Sequence, residues 1–456
     1  MKKVLLSFVG NQDPISEKTK EFGAVITLCQ HLKPDIVYLM PTAKGVGICS
    51  STEDNAKETA EYLSELRDEI SPGVVCYIRP ILVSDPTDFQ ELLPSIRENV
   101  DKVLSELKRE GEDFELHLNC SSGTPQMCAC FYVLAHAGRL PSPHLWQVRN
   151  PKVMQPGEDR VCEIKLKFLE EESIIARLRH YLDGYHFEVM SIECQSLSEI
   201  SVYSSRRNVA ELVAKALKAY SMWDLLHYRE AYQRLASIER KWRDTVDAGD
   251  IAVILRKQAD FLSHLESEIE KETPENLVDI LFNAERCFAR KAYTDALARF
   301  WRIYEGILYY RLREEHGIEP RNIASSKNQA NVETIRRTMG NHDYAKDLSL
   351  FRADKALRTL QDRPFLNVLK TSLKAMRKSS QQDIKVEDLL EELRERRNSS
   401  VVAHGMKPVS EEDAANSITA AKALLAKMVP LGEELLKEYP LNKPQVGALL
   451  DFLAAS

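Results

Sequence analysis

The residues with the clearest potential for chemistry lie in the stretch RERRNSSVVAHGMKPVS, residues 394–410. It places Arg397 and His404 seven residues apart, with Asn398 directly after the arginine. The pattern predicts a helix that continues to Gly405, where glycine is a good C-terminal stop. On such a helix the arginine and histidine side chains project from one face, about 20° apart.

Apolar neighbours on that face, Leu390, Leu393 and Val401, indicate that it packs against other elements. A histidine and an arginine there suit acid–base work on a phosphodiester, with His404 moving protons and Arg397 stabilising charge on phosphorus. The spacing fits a structural alternative equally well, in which the arginine pairs with an acid and the histidine is a C-terminal helix cation. The catalytic roles need no metal, and the sequence has no evident carboxylate set for a two-metal nuclease.

A second group of candidate residues lies in two loops that follow strand-like runs. The loop VGNQDPIS (9–16) follows KKVLLSFVG, and NCSSGTPQMCA (119–129) follows FELHLNC. Neither loop is a dinucleotide or Walker motif, and similar turns occur without ligands, but two polar loops after strands of one sheet favour a ligand site. Glycines allow close backbone approach, and helix amino ends favour anions. The predicted contacts to a polar or phosphate-bearing ligand are Gly10, Asn11, Ser121, Ser122, Gly123, Thr124 and Gln126.

Two further residues extend this predicted ligand site. Thr42, in LMPTAKG after the second strand-like run, lies at the same edge of the predicted sheet. Asp13 is acidic, which disfavours a bare phosphate beside it but suits ribose hydroxyls or adenine amino groups. Pro125 fits the first position of the next helix.

The elements that must position these loops alternate up to about residue 168. Unbroken apolar strands between helices predict a parallel sheet covered on both faces, with ligands beyond the carboxyl ends of the strands. The predicted strands are 2–10, 35–41, 74–83, 114–120, 144–150 and 162–169, and the predicted helices are 17–32, 53–70, 88–110 and 125–138.

After about residue 170 the pattern is amphipathic helix. Thr273 is a predicted helix cap with Pro274 at the first helical position, and two helices follow, joined near 291–294 and ended at Gly317. The polar tract 320–343 is predicted to be an irregular connector. We expect the aromatic residues of the second helix to be core rather than a base-stacking platform: Tyr293, Phe300, Trp301 and Tyr304. Further predicted helices are 346–360, 365–378, 385–404 and 410–438.

Composition narrows the class of protein. With 456 residues, 44% apolar and 29% charged, the chain is expected to be a soluble protein of two or three domains. A net charge of −7 argues against a surface coated in nucleic acid but leaves room for a local basic cleft. The first apolar run is too short for a signal peptide, and no segment is long enough to span a membrane. Nine cysteines, including Cys120, Cys128 and Cys130, lack zinc-site spacing and are expected to be reduced thiols.

In chain order, these features resemble the CRISPR-associated CARF–HEPN ribonucleases of type III systems. RNSSVVAH matches the HEPN motif of an arginine, a polar residue and, a few residues later, a histidine. GNQDPIS and SSGTPQM resemble the two ligand loops of the CARF domain. The resemblance implies a Rossmann-like CARF domain at 1–169, a helical connector at 170–272 and a helical HEPN ribonuclease domain at 273–456.

The resemblance also implies an activity. Arg397 and His404 would be the catalytic pair of a metal-independent endoribonuclease, with Asn398 as a helper. The chain would form a homodimer in which two copies of this helix make one composite site. Single-stranded RNA, not DNA, would be the substrate, and cleavage would leave a 2′,3′-cyclic phosphate.

The activator implied by the resemblance is cyclic tetra- or hexa-adenylate, made by the type III CRISPR effector complex and bound across the dimer axis. No cofactor, metal or membrane partner is implied, and the expected location is the cytoplasm. Asn11 and Thr124 are candidates for slow degradation of the activator by the CARF domain. The implied binding residues are Gly10, Asn11, Gln12, Asp13, Pro14, Thr42, Ser121, Ser122, Gly123, Thr124, Pro125 and Gln126.

Two other functions fit parts of the sequence. A non-catalytic sensor or scaffold would combine a ligand-binding sheet domain with a helical dimerisation domain, and its arginine–histidine pair would be structural. A nucleotide-dependent transcription regulator would need a basic recognition helix, and the sequence has no convincing one. The arginine, asparagine and histidine together favour the ribonuclease.

Overall fold

A computed structural model of the protein divides into two compact units, Met1–Glu170 and Glu171–Ser456. The predicted fold class, an α/β part followed by a helical part, is confirmed. The described residues are 1–45, 51–70, 73–111, 113–155, 157–243, 249–339, 347–377 and 380–456.

The first unit is built on a six-stranded sheet in the order β3-β2-β1-β4-β5-β6. Strands β1 to β5 are parallel, and β6 pairs antiparallel with β5. The strands are β1 (Lys2–Phe8), β2 (Ile36–Met40), β3 (Val75–Ile78), β4 (Phe114–Asn119), β5 (His144–Val148) and β6 (Val161–Ile164). The helices are α1 (Ala24–Leu32), α2 (Glu53–Glu65), α3 (Arg67–Ile70), α4 (Phe89–Glu110) and α5 (Pro125–His136), with a 3₁₀ turn at Pro151–Val153.

Both faces of this sheet are buried, as the unbroken apolar strands predict. Leu6 of β1 belongs to one core cluster with α4 and α5, whereas its neighbour Leu5 belongs to a second cluster with α1. The strand order changes direction between β1 and β4, which are neighbours in the sheet but far apart in sequence. In open parallel sheets ligands bind beyond the carboxyl ends of the strands at such a point. The two predicted ligand loops follow these two strands.

Two predicted elements of the first unit are shorter than expected. The helix predicted at 17–32 begins only at Ala24, because the preceding residues form a loop closed by a bridge between Ile15 and Phe22. The strand predicted at 74–83 ends at Ile78, just before Pro80, which has no amide hydrogen for the ladder.

The second unit is helical apart from one hairpin. Its elements, starting with the helix that leads into it, are α6 (Lys167–Asp183), α7 (Phe187–Ile200), α8 (Ser204–Asp224), α9 (Tyr228–Arg243), α10 (Gly249–Ser267), α11 (Pro274–Ala289), α12 (Tyr293–Glu314), α13 (Gln329–Met339), α14 (Leu350–Thr359), α15 (Arg363–Lys370), β7 (Ser372–Arg377), β8 (Ser380–Lys385), α16 (Val386–Ser399), α17 (Glu411–Met428), α18 (Gly432–Glu438) and α19 (Lys443–Ala455), with a 3₁₀ turn at Ile323–Ser325.

One apolar core runs through this unit from Ile174 to Leu453. The predicted division at 272/273 therefore falls within a continuous core, and it stays a prediction. The predicted cap beside it is confirmed, because the Thr273 hydroxyl accepts a hydrogen bond from the amide of Asn276 at 3.2 Å. Three of the α12 aromatic residues that were predicted as core are buried: Phe300, Trp301 and Tyr304. The fourth, Tyr293, is half-buried.

The helix predicted at 365–378 is wrong in its second half. α15 ends at Lys370, and residues 372–377 form a strand paired antiparallel with 380–385. The side-chain amide of Asn416, on α17, bonds both backbone groups of Met376: it accepts from the amide at 2.7 Å and donates to the carbonyl at 3.2 Å. A contact forty residues away in sequence thus replaces the hydrogen bonds of a helix.

Other boundaries also differ from the prediction. The tract 320–343, predicted irregular, contains α13, and its residues 340–343 lie outside the described residues. The helix predicted at 410–438 is two helices separated near Leu431, whose φ is +56°. No predicted element corresponds to α19, which begins after a capping box at Asn442. Within the described residues, no helix is both long and apolar enough to cross a membrane.

The cysteines are free thiols wherever the structure describes them, and Cys49 lies outside the described residues. Burial raises the pKa of Cys120 to about 12 and the pKa values of Cys128 and Cys130 to about 11. These thiols are therefore protonated at neutral pH.

Candidate functional site

The loops after β1 and β4 touch each other at two glycines. A Cβ on Gly10 would lie 3.2 Å from the amide nitrogen of Gly123. Gly123 has φ +89°, and a Cβ there would lie 2.9 Å from the Cβ of Phe8. Only glycine fits this conformation without strain. The close approach seen here is between the two loops, and close approach of these glycines to a ligand stays a prediction.

Asp13 holds the first loop together from inside. Its side chain is only 3% exposed, and its carboxylate accepts hydrogen bonds from the amides of Gly10 at 3.0 Å and Val25 at 3.2 Å. Burial raises the pKa of this carboxyl, while the hydrogen bonds from these amides and from Ser122 oppose the rise. Because Val25 lies in the first turn of α1, Asp13 joins the β1 loop to the start of the next helix.

The loop after β2 is tied to the same edge. The Thr42 amide donates to the Thr52 hydroxyl at 3.0 Å, and Ser51 donates to the Thr42 carbonyl at 2.8 Å. The side-chain amide of Asn55 donates to the carbonyl of Asp13 at 3.0 Å. Thr42 is therefore buried and held by hydrogen bonds to Ser51 and Thr52. Part of its loop, residues 46–50, lies outside the described residues.

The loop after β4 is organised by Asn119 and Thr124. The Asn119 amide donates to the hydroxyls of Ser7 at 2.9 Å and Ser122 at 3.2 Å. The Ser121 hydroxyl accepts from the Val148 amide at 2.7 Å. The Thr124 hydroxyl accepts from the first turn of α5 and donates to the Pro86 carbonyl at 2.7 Å. Most of the hydroxyls predicted to contact a ligand are therefore already used within the chain.

Exposure divides the predicted ligand residues into a surface and a supporting layer. The residues that support these loops were not predicted from the sequence: Ser7, Thr52, Asn55 and Asn119. Asn119 could have been predicted, because it is a polar residue at the end of an apolar strand. The side-chain oxygen of Gln126 is enclosed and finds no hydrogen-bond partner among the described residues. The exposed residues are Asn11, Gln12, Gly123 and Pro125, the half-buried ones are Gly10, Ser121, Thr124 and Gln126, and the buried ones are Asp13, Pro14, Thr42 and Ser122.

The helix that carries Arg397 ends earlier than predicted. α16 ends at Ser399, not at Gly405, and residues 401–404 form a turn. The Ser400 hydroxyl donates to the Arg397 carbonyl at 3.0 Å, which satisfies a carbonyl at the helix end. The amides of Gly405 and Lys407 then donate to the carbonyls of Ser400 and Ser399, both at 3.0 Å.

Gly405 is required by this turn and does not cap a helix. A Cβ on Gly405 would lie 1.9 Å from the carbonyl oxygen of Ser399, so the chain passes directly over the end of α16. His404 is consequently an exposed turn residue and does not share a helical face with Arg397. Val401, predicted on the packing face, is 56% exposed, whereas Leu390 and Leu393 are buried as predicted.

Arg397 differs from the arginines beside it. Arg394 pairs with Glu391 at 2.9 Å and Arg396 with Asp413 at 3.3 Å, whereas Arg397 has no ion pair within the described part of the chain. Its guanidinium lies 5.4 Å from the ring centroid of Trp301, a cation–π distance. Its Nε is enclosed and has no hydrogen-bond partner in the part of the chain that the structure describes. The structural alternative of an arginine paired with an acid is therefore not what the described residues show.

The remaining predicted residue, Asn398, is exposed on the last turn of α16, next to Arg397. Arg397 and Asn398 thus lie in the last turn of α16, and His404 lies in the turn that follows it. The guanidinium of Arg397, beside the Trp301 ring, has no ion pair among the described residues. An unpaired guanidinium suits binding of a phosphate or of negative charge that develops on it.

Comparison with known proteins bears on both parts of the chain. Residues 266–426 match the family model of the Csm6 HEPN domain. This match confirms the predicted HEPN resemblance for that segment. Arg397, Asn398 and His404 all lie within the matched segment. The chain also matches the solved structure of Enterococcus italicus Csm6 bound to cyclic hexa-2′-fluoro-hexa-dAMP, with a TM-score of 0.60 and 18% sequence identity, over 99% of this chain and 100% of that chain. No curated protein sequence matches.

Proposed function

We propose that the protein is a ribonuclease of type III CRISPR defence that cleaves single-stranded RNA when a cyclic oligoadenylate binds its sheet domain. The observation that carries the proposal is the combination of unpaired Arg397 and exposed His404 at one helix end, inside the segment that matches the Csm6 HEPN domain. The Csm6 of Enterococcus italicus, which shares the fold, was solved with a cyclic hexanucleotide analogue.

The proposed reaction is a metal-independent transesterification. The RNA 2′-oxygen attacks the adjacent phosphorus as the bond from phosphorus to the 5′-oxygen breaks, which leaves a 2′,3′-cyclic phosphate and a free 5′-hydroxyl. His404 would take the proton from the 2′-hydroxyl or deliver one to the 5′-oxygen. Arg397 would stabilise the charge that develops on the phosphoryl oxygens, and Asn398 would help to orient the phosphate.

A homodimer would complete this site. The transesterification needs both a base and an acid, and one chain supplies one His404 at this helix end. Two copies of the end of α16, facing each other, would supply two imidazoles and two guanidiniums to one phosphodiester. Two unpaired guanidiniums would repel each other, and a bound RNA phosphate would offset that repulsion.

The loops after β1, β2 and β4 would bind the activator, cyclic tetra- or hexa-adenylate. Exposed Asn11 and Gln12 offer side-chain amides to the ring, and Gly123 is exposed beside them in the second loop. The binding free energy can activate the RNase only if one dimer arrangement binds the ring better and also aligns the two catalytic pairs. For slow activator degradation, Asn11 is the better candidate, because the Thr124 hydroxyl already serves a helix cap and the Pro86 carbonyl.

A panel of activators tests this function. RNA is incubated with the protein and EDTA in the presence of cyclic tetra-adenylate, cyclic hexa-adenylate or neither ring. We expect cleavage with one ring, products that end in 2′,3′-cyclic phosphate, and little cleavage without a ring. Binding of a ring without any RNA cleavage would instead favour the alternative, a non-catalytic sensor or scaffold with a structural helical domain.

A further inference from the structure

A cleft of about 370 Å³ lies directly beside Arg397. Residues of α12, of α14 and the residue before it, and of the end of α16 line this cleft. It is therefore formed entirely within the second unit. This volume is within the range of roughly 300–1,000 Å³ found for small-molecule sites. Its lining includes the aromatic residues Trp301 and Phe351, the acids Glu305 and Asp354, the arginines Arg394 and Arg397, and Asn398.

The cleft presents one exposed aromatic ring. Phe351, on the first turn of α14, is 65% exposed, and among the described residues no other ring or cation contacts its face. A single exposed apolar side chain is ordinary on a protein surface and needs no function. Phe351 is different because it lines the same cleft as Arg397 and Asn398.

The charges in the cleft are unevenly paired. Both carboxylate oxygens of Asp354 accept hydrogen bonds, from the Tyr304 hydroxyl at 2.6 Å and from Arg358 at 2.8 Å. Among the described residues Arg397 has no such partner, and two buried donors, Arg397 Nε and Trp301 Nε1, lack acceptors there. Buried unpaired donors are rare in native proteins. The cleft lining carries two acids, Glu305 and Asp354, and two arginines, so its uncompensated groups among the described residues are hydrogen-bond donors.

From these observations we infer that the cleft receives an unpaired nucleobase of the RNA, next to the cleaved phosphate, with Phe351 as its stacking partner. This inference rests on the proposed function, in which Arg397 and Asn398 bind that phosphate. A nucleobase is joined to its phosphate through a single sugar, so a cleft that shares a wall with the phosphate site is within its reach. Aromatic side chains bind bases of unpaired strands by stacking, and they do so largely independently of sequence.

The main competing occupant is the second copy of the chain, which would also cover an exposed ring near a dimer interface. The two enclosed donors that lack acceptors among the described residues, Arg397 Nε and Trp301 Nε1, favour RNA, because its bases and phosphates carry acceptor atoms. The experiment below makes dimer formation one of its outcomes.

A double-mutant cycle, in which both the enzyme and the substrate are changed, tests the proposed stacking of Phe351 on the base. The substrate is an oligodeoxynucleotide with one ribonucleotide, which fixes the cleaved bond, and it is prepared with a normal or an abasic nucleotide on either side of that bond. The full-length protein, saturated with its activating ring, is compared with Phe351→Ala. We expect kcat/KM to fall about tenfold on the normal substrate, the scale of losing one base–aromatic stack. On one of the two abasic substrates, kcat/KM of the wild type should also fall about tenfold relative to the normal substrate. On that same substrate, Phe351→Ala should have nearly the same kcat/KM as the wild type.

Two controls accompany the cycle. Phe351→Tyr keeps a ring and should keep most of the activity. Phe168→Ala removes an exposed ring of the first unit, 52% exposed, and should cleave like the wild type. Sedimentation of Phe351→Ala should give the same dimer as the wild type.

Three results would overturn the inference while the proposed function stands: wild-type activity of Phe351→Ala, equal losses on normal and abasic substrates, or a dimer that dissociates. Absence of cleavage by the wild-type protein with either ring would overturn the proposed function, and this inference with it.

Discussion

The sheet edge of the first unit and the helix end of the second unit use their polar groups in opposite ways. At the sheet edge, Asp13, Thr42 and Ser122 are buried and hydrogen-bonded within the chain. At the helix end, Arg397 has no ion pair among the described residues, and His404 is exposed. One site is preorganised in a single chain, whereas the other leaves its functional groups open.

This difference indicates where each site is completed. A preorganised loop edge loses little conformational entropy when a ligand binds, which suits a sensor that must respond to little activator. A helix end with unpaired groups becomes functional only when a phosphate or a second chain supplies the missing partners. The comparison therefore predicts that changes at the helix end affect the reaction, and changes at the sheet edge affect activator affinity.

The largest effect is expected for His404→Ala. Loss of the proton-transferring group should slow RNA cleavage at saturating activator by at least about 100-fold, since general acid–base catalysis contributes roughly 10²–10⁴. Calorimetric titration should show unchanged activator affinity. Met406→Ala, in the same exposed segment, is the matched control and should cleave nearly normally. A normal cleavage rate in His404→Ala would contradict the catalytic assignment.

A smaller effect is expected for Gly123→Ala at the sheet edge. Its positive φ and the 2.9 Å approach to Phe8 should raise the activator concentration for half-maximal cleavage by about tenfold, because left-handed backbone disfavours a Cβ by roughly 1–2 kcal/mol. The maximal rate should be unchanged. Gly138→Ala is the control, since Gly138 also has a positive φ, +66°, but open space around it. Equal effects of the two variants would show that the loop contact is unimportant.

A pH-dependent effect is expected at Asp13. Since burial raises its folded-state pKa above the unfolded value, the folded state binds the proton more tightly, and loop stability falls as pH rises through the folded pKa. Asp13→Asn, which stays neutral, should lack this fall. The measurement is hydrogen exchange of peptides covering residues 9–25, corrected for the intrinsic pH dependence of exchange. The same pH dependence in both proteins would exclude Asp13 as its source.

The smallest effect is expected for Arg396→Ala, beside the catalytic candidate. Arg396 makes a largely exposed ion pair with Asp413, so its loss should lower the free energy of unfolding by less than about 1 kcal/mol. RNA cleavage should fall far less than in Arg397→Ala. Similar losses in the two variants would mean that this helix end acts through general positive charge and not through Arg397.

Much of the fold could be predicted because its signals are local. Unbroken apolar runs identified the strands of a sheet buried on both faces, and Thr273 followed by Pro274 identified the start of α11. The spacing of apolar residues along an element and the capping of a helix end both depend on residues that are close together in sequence. The hairpin at 372–385 was missed because its deciding contact comes from Asn416, on another helix.

The candidate sites show the same division. The sequence by itself determined which residue types could act: the glycine-rich loops, and an arginine, an asparagine and a histidine close together in the chain. Only the tertiary structure decided their positions, burial and contacts. It buried Asp13 beneath the ligand loops, and it ended α16 at Ser399, so that His404 lies in an exposed turn. The physical reason is that burial and helix ends depend on which atoms meet across the fold, such as Gly405 against the Ser399 carbonyl, and spacing along the chain does not encode those contacts.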